Sequence, residues 1–218
     1  RKRSSQGKPF STSNELEFLP AWWLPEAHSQ TLWNARVRQV PSVDLFEETH
    51  ELPDQDFLEW FWLKDTYEAT AKVPTILILH GLEGCARSNY VQDLMRQLGF
   101  LGWRAVVMQY RNCGEKPNRL AQSYHAMRWQ ELDWTVEVLR ERFPEAPIGV
   151  VGFSIGGSIL LNWLGQNEFR KIAAACAISV PYKLALCADR LSQGFSKIYQ
   201  QYLICLLYTS DAADDTPC

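Results

Sequence analysis

A serine between glycines is the strongest chemical signal in the sequence. Ser154 lies in Gly152-Phe153-Ser154-Ile155-Gly156-Gly157, after an apolar run at 148–153 and before helical spacing at 158–164. A serine on a tight strand-to-helix turn projects its hydroxyl above a sheet, and the helix N-terminus favours negative charge nearby. Gly152, Gly156 and Gly157 would let neighbouring backbone approach closely. We predict that Ser154 is a nucleophile, the alternative being a capping serine in a glycine-rich turn.

A second signal is His80-Gly81, which follows the apolar run at 73–79. A loop at the end of such a strand can supply a backbone N–H to the oxyanion that forms when a serine attacks a carbonyl. We therefore predict the N–H groups of Leu82 and Ile155 as the two oxyanion donors. Gly81 would allow close approach of the substrate carbonyl. His80 could act as a general base, but its place in the turn favours a role in shaping the loop.

The elements that must position these residues follow from the hydrophobic pattern. Apolar runs typical of strands buried on both faces of a parallel sheet occupy 73–79, 104–110, 148–153 and 172–180. Helical spacing separates them at 88–98, 129–143 and 158–164. Two earlier strands, 43–52 and 57–63, flank a turn and predict a hairpin, with the aromatic residues of 57–63 half-buried. The alternation predicts an α/β fold with a mostly parallel sheet and helices on both faces, its strand at 172–180 forming an edge.

Composition excludes several classes of function. The chain has 218 residues, 46% of them hydrophobic and 22% charged, which is typical of a globular domain rather than a disordered chain. A net charge of −3 argues against capture of nucleic acid. The six cysteines lack a CxxC motif and the four histidines lack HxxxH or HxH spacing, so we expect no metal and no cofactor. No signal peptide or apolar membrane span is evident, and we expect a cytoplasmic protein without an obligatory protein partner.

Several further motifs, taken together, resemble the YheT-type α/β-hydrolases, a branch that includes the eukaryotic ABHD lipid-esterase relatives. The resemblance covers residues 15 to about 205. It rests on Glu17-Phe18-Leu19-Pro20, Ser29-Gln30-Thr31, Glu51-Leu52-Pro53-Asp54, His80-Gly81-Leu82-Glu83-Gly84, Ser88-Asn89-Tyr90, Arg111-Asn112-Cys113-Gly114, Pro117-Asn118-Arg119, Tyr124-His125, the Ser154 motif, and the stretch from Gly194 to Leu203.

The resemblance implies a carboxylic-ester hydrolase with a Ser–Asp–His triad, acting on a small-molecule ester or lipid. Only Ser154 carries over, because the family's Asp and His come later in the chain and no histidine follows His125 here. We therefore expect an α/β-hydrolase domain at 15–205 that lacks its last strands and helices and is inactive by itself. Residues 1–14 are predicted as a loose segment and 206–218 as a non-native-looking tail.

Two other functions remain open on the sequence alone. An acyltransferase would use the same serine to pass an acyl group to an alcohol or amine. A non-catalytic, hydrolase-like binding protein would need no triad. The segment at 181–203 could cover an acyl pocket or pack against the sheet.

Overall fold

The computed structural model describes residues 19–33, 37–166 and 172–211, and for 206–211 it describes the backbone alone. The predicted loose segment at 1–14 lies outside these residues, as does the part of the predicted tail beyond 211. The chain divides into two compact units, Arg1–Gln39 and Val40–Cys218. The described part of the first unit contains a short helix, α1 (Ala27–Leu32). The bounds of 15–205 for one domain remain a prediction.

The second unit is built on a six-stranded sheet whose order is β1-β2-β4-β3-β5-β6. The strands are β1 (Leu45–Glu51), β2 (Phe57–Leu63), β3 (Thr75–Leu79), β4 (Arg104–Met108), β5 (Ile148–Phe153) and β6 (Ala174–Ile178). The pairs β4–β3, β3–β5 and β5–β6 are parallel, whereas β1–β2 and β2–β4 are antiparallel. The mostly parallel sheet is therefore confirmed, as is the hairpin of β1 and β2.

Helices lie on both faces of this sheet. The helices described in this unit are α2 (Lys64–Tyr67), α3 (Asn89–Phe100), α4 (Gln130–Arg142), α5 (Ile155–Gln166), α6 (Leu184–Leu191) and α7 (Lys197–Asp211), with a 3-10 turn at Gly194–Ser196 before α7. One core cluster packs α3 on one face of the sheet, and a second packs α4 and α5 on the other. Helix α7 runs through position 206 without a break, so no change of structure marks the start of the predicted tail.

Strand β2 differs from its prediction as a half-buried strand. All seven of its residues are buried, and Trp60 and Trp62 are fully inaccessible to solvent. The cause is topological, since β2 lies between β1 and β4 and each of its faces meets a core cluster. An aromatic run with no alternation of polar residues is what such a two-sided environment accommodates.

The two edges of the sheet are chemically different. Strand β1 carries Glu47, Glu48 and Glu51, and such charges hinder pairing with another strand. Strand β6 has the sequence Ala-Ala-Cys-Ala-Ile, and four of its five residues are exposed. The structure thus confirms that the strand after β5 is an edge.

Candidate functional site

The turn at Ser154 joins β5 directly to α5. Ser154 has φ of 51°, a left-handed conformation that is uncommon for a residue with a side chain. Its N–H donates to the carbonyl of Ile178 at 2.9 Å, and its carbonyl accepts the N–H of Ser158 at 3.1 Å. The helix was predicted from 158 but begins at Ile155, so the serine immediately precedes the helix N-terminus.

The glycines around this turn are required by close backbone contacts. A Cβ on Gly152 would lie 2.5 Å from the carbonyl oxygen of Gly156. A Cβ on Gly156 would lie 2.6 Å from the carbonyl oxygens of both Leu79 and His80. A Cβ on Gly157 would approach a methyl group of Val180 at 2.7 Å. The glycines therefore let α5 pack tightly against β5 and against the end of β3.

The loop that follows β3 lies beside Ser154. A Cβ built on Gly81 would stand 3.5 Å from the Cβ of Ser154 and 3.8 Å from the carbonyl oxygen of Phe153. The loop closes as a turn, because the N–H of Gly84 donates to the carbonyl of Gly81 at 3.0 Å. Glu83, which precedes Gly84 in the turn, has φ of 50°. The structure thus brings the two predicted backbone segments, the Ser154 turn and the 80–84 loop, together.

His80 is fully buried and takes part in the loop itself. Its Nδ1 lies 2.8 Å from the carbonyl oxygen of Gly81, so Nδ1 carries the proton and donates it. Its Nε2 accepts the N–H of Tyr110 at 3.4 Å. Burial lowers the pKa of His80 to about 4, so the ring is neutral at pH 7. These contacts suit a ring that shapes the loop.

Three tyrosines that the sequence analysis assigned no role surround this loop. Tyr90 accepts the N–H of Gly81 at 2.8 Å, and Tyr124 accepts the N–H of Glu83 at 2.8 Å. The rings of Tyr110 and Tyr124 stack at 4.8 Å. Burial raises the pKa of all three phenols, so they are neutral hydrogen-bonding groups. Tyr90 and Tyr124 belong to motifs on which the family resemblance rests, and those motifs were the only signal in the sequence that pointed to them.

Strained backbone conformations are concentrated at the carboxyl ends of the parallel strands. Four residues with side chains adopt a left-handed φ just after the carboxyl ends of β3, β4, β5 and β6, namely Glu83, Asn112, Ser154 and Ser179. Such conformations cost free energy and persist where the surroundings enforce them, often at functional sites. The carboxyl edge of a parallel sheet is also where open α/β folds bind ligands. The strain therefore supports placing the candidate site at this edge.

A buried ionic cluster fixes the loop after β4. The guanidinium of Arg111, whose side chain is 3% exposed, pairs with Asp54 at 2.7 Å, Asp56 at 2.9 Å and Glu131 at 2.6 Å. Asp56 also accepts the side-chain N–H of Asn118 at 3.0 Å. The cluster joins the β1–β2 turn, the β4 loop and the first turn of α4. It braces the elements around the site without contacting Ser154.

The contacts of His50 and His125 involve groups other than Ser154. His50 lies 3.1 Å from Glu48 and stacks on Trp60, and His125 accepts the N–H of Met127 at 3.3 Å. Neither ring, nor that of His80, is hydrogen-bonded to Ser154. Within 19–33, 37–166 and 172–211 no group of three or more His, Cys, Asp or Glu residues could hold a metal ion.

In the described part of the chain, no helix combines the length and the apolar character that crossing a bilayer requires.

Two curated proteins with similar sequences are named as an esterase and a phospholipase. The Escherichia coli (strain K12) protein named "Putative esterase YheT" is 33% identical over 201 residues, which are 92% of this chain and 59% of that protein. Human "Phospholipase ABHD3" is 27% identical over 199 residues, which are 88% of this chain and 49% of that protein. The chain thus spans about half to three-fifths of the length of these relatives.

Solved structures and a family model agree with the fold. The Pyrococcus furiosus esterase Pf2001 aligns with a TM-score of 0.59 and 20% identity over 78% of this chain and 62% of that one. Est1E from Butyrivibrio proteoclasticus aligns with a TM-score of 0.54 and 16% identity over 66% of this chain and 56% of that one. The model described as "alpha/beta hydrolase fold" matches residues 74–207, more than half of the sequence. The chain therefore belongs to the α/β hydrolase fold family, within which it resembles YheT and ABHD3.

Proposed function

We propose that this chain carries the nucleophile and the oxyanion donors of a serine carboxylic-ester hydrolase. The observation that supports this most is the left-handed Ser154 at the start of α5, with the 80–84 loop beside it. The predicted substrate is a small-molecule ester or lipid, in keeping with the names of YheT and ABHD3. We also propose a cytoplasmic location.

The proposed chemistry is acyl transfer through Ser154. A general base removes the hydroxyl proton while Oγ forms a bond to the ester carbonyl carbon, and the carbonyl oxygen becomes an oxyanion. The N–H groups of Leu82 and Ile155 would stabilise that oxyanion, helped by the positive end of the α5 dipole. The carbon–oxygen bond to the leaving alcohol then breaks, and the base returns its proton to the alcohol. Water, activated by the same base, cleaves the acyl-serine and releases the acid.

No triad base is evident from the contacts of the described residues. No histidine follows Ser154 in the sequence, and the rings of His50, His80 and His125 are engaged elsewhere. We therefore propose that hydrolysis belongs to a form of the protein that also contains the triad Asp and His. The contacts of His50, His80 and His125 with groups other than Ser154 favour a second candidate function, binding of an ester or acyl group without turnover.

Chemical rescue can test the nucleophile in the chain as it exists. Imidazole added in solution can replace a missing histidine, so a fluorophosphonate probe should label the chain faster as the imidazole concentration rises. Ser154→Ala should abolish this labelling. Ser158→Ala is the matched control, because Ser158 Oγ, one helical turn further on, is buried and has no hydrogen-bond partner in the part of the chain that the structure describes. Equal labelling of the Ser154→Ala variant would refute the nucleophile, and no labelling at any imidazole concentration would favour the binding function.

A further inference from the structure

The 80–84 loop uses its backbone N–H groups unequally. The N–H of Gly81 is donated to Tyr90, and the N–H of Glu83 is donated to Tyr124, each at 2.8 Å. The N–H of Gly84 is donated within the loop. Among the described residues, the N–H of Leu82 has no hydrogen-bond acceptor. This loop therefore presents one unused donor between two that are occupied.

The direction of that donor is fixed by the peptide group to which it belongs. The carbonyl of Gly81 accepts from His80 Nδ1 at 2.8 Å and from the N–H of Gly84 at 3.0 Å. The bond between Gly81 and Leu82 is trans, as are all peptide bonds described, so the carbonyl and the N–H of this group point in opposite directions. The Leu82 N–H consequently points away from the buried His80 ring.

The two phenols connect the loop to rigid parts of the structure. Tyr90 lies in the first turn of α3, and its ring packs on Phe153, the residue before the nucleophile, at 4.8 Å between centroids. Tyr124 both accepts the N–H of Glu83 and donates to its carboxylate at 2.8 Å, which closes a ring around a residue in the left-handed conformation. Stacking on Tyr110 fixes the plane of Tyr124.

We propose that Tyr90 and Tyr124 are positioning residues that hold the 80–84 loop so that the Leu82 N–H is its single free donor beside Ser154. This inference rests on the proposed function for its catalytic meaning. Its structural content, the unequal use of the three amides, stands without any catalysis. The two tyrosines act through backbone groups, so a phenylalanine in either place keeps the ring and removes the acceptor oxygen that the loop needs.

Amide hydrogen exchange, measured residue by residue by NMR on the 218-residue chain, tests the inference. In the unsubstituted protein the Leu82 amide should exchange faster than those of Gly81 and Glu83, because it alone lacks an acceptor. Tyr90→Phe should speed exchange of the Gly81 amide by about tenfold, and Tyr124→Phe should do the same for Glu83. Equal protection of the three amides in the unsubstituted protein would overturn the proposal, and so would exchange unchanged by both substitutions.

A control separates positioning from general destabilisation. Tyr182 is 81% exposed, so Tyr182→Phe should leave all three amides unchanged. Imidazole-dependent labelling of Ser154 should fall by about tenfold in Tyr90→Phe and Tyr124→Phe and stay constant in Tyr182→Phe. If the amides follow the predicted pattern but Ser154 is never labelled, the proposed function fails and the positioning role stands. If Ser154 is labelled but the amide pattern is absent, the positioning role fails.

Discussion

Gly156→Ala should push the Ser154 turn away from the end of β3 and the 80–84 loop. A Cβ at this position would lie 2.6 Å from two backbone carbonyl oxygens, those of Leu79 and His80. Ordinary contact between a Cβ and an oxygen begins near 3.4 Å, so the end of β3 or the start of α5 must move by about 0.8 Å. Backbone atoms in a sheet cannot rotate away as a flexible side chain can.

The expected cost is a loss of stability together with a loss of reactivity. Overpacking of a close contact costs about 1–3 kcal/mol, and the gain from replacing glycine by alanine in a helix, about 1 kcal/mol, offsets only part of it. The strain falls on His80, which anchors the carbonyl of Gly81. Imidazole-dependent labelling of Ser154 should therefore decrease even at temperatures where the variant is fully folded.

Helix α5 contains its own control. Gly165 lies in the same helix, and among the described residues a Cβ there would have no neighbour within 4 Å. Gly165→Ala should thus stabilise the protein by about 0.5–1 kcal/mol and leave labelling unchanged. The free energy of unfolding from urea titration, followed by circular dichroism, gives the comparison. If the two alanine variants were equally stable, the close approach of Gly156 to the end of β3 would be wrong.

The remaining predictions concern buried charge. Arg111→Leu leaves the buried carboxylate of Asp56 without its cation and Glu131 paired with Arg128 alone, and should cost about 3–5 kcal/mol in urea unfolding at pH 7. Arg87→Leu, which breaks an exposed pair, should cost under about 1 kcal/mol. Burial alone raises the pKa of Asp56, but hydrogen bonds and Arg111 lower that pKa on balance. The ionised carboxylate of Asp56 therefore stabilises the fold above pH 3.8, and this contribution is lost as the pH falls. The loss of stability in Arg111→Leu should thus become smaller in acid, and a loss that does not change with pH would contradict this. Burial raises the pKa of Glu59, so its negative charge destabilises the fold at pH 7 but not well below pH 4.5. Glu59→Gln should therefore raise the melting temperature at pH 7 and leave it unchanged at pH 3. A lower melting temperature at pH 7 would refute this.

The strand–turn–helix geometry around Ser154 could be predicted because its requirements are local. A buried strand, a serine between glycines and a helix occur in consecutive order, and each has its own pattern. The start of α5 was placed too late because Gly156-Gly157 is typical of a turn. The structure places both glycines inside the helix, where close packing rather than conformational freedom accounts for them.

The support of the 80–84 loop could not be predicted, because it depends on long-range contacts. Tyr90 is nine residues from Gly81, and Tyr124 is 41 residues from Glu83. No periodicity connects such positions; the fold brings them together at the carboxyl ends of neighbouring strands. The full burial of β2 was missed for a similar reason, since its place between β1 and β4 is set by topology.

The uncharged edge strand β6 is the position at which a further strand could join the sheet. A new strand would meet glutamates at β1, but at β6 it would meet small side chains and backbone groups open to solvent. Cys176, at the centre of β6, is exposed and has a free thiol. Any polypeptide that extends this sheet should therefore pair with β6, which is the neighbour of β5, the strand that leads to Ser154. A thiol-reactive spin label at Cys176 would report such an addition directly, independently of any reaction at the serine.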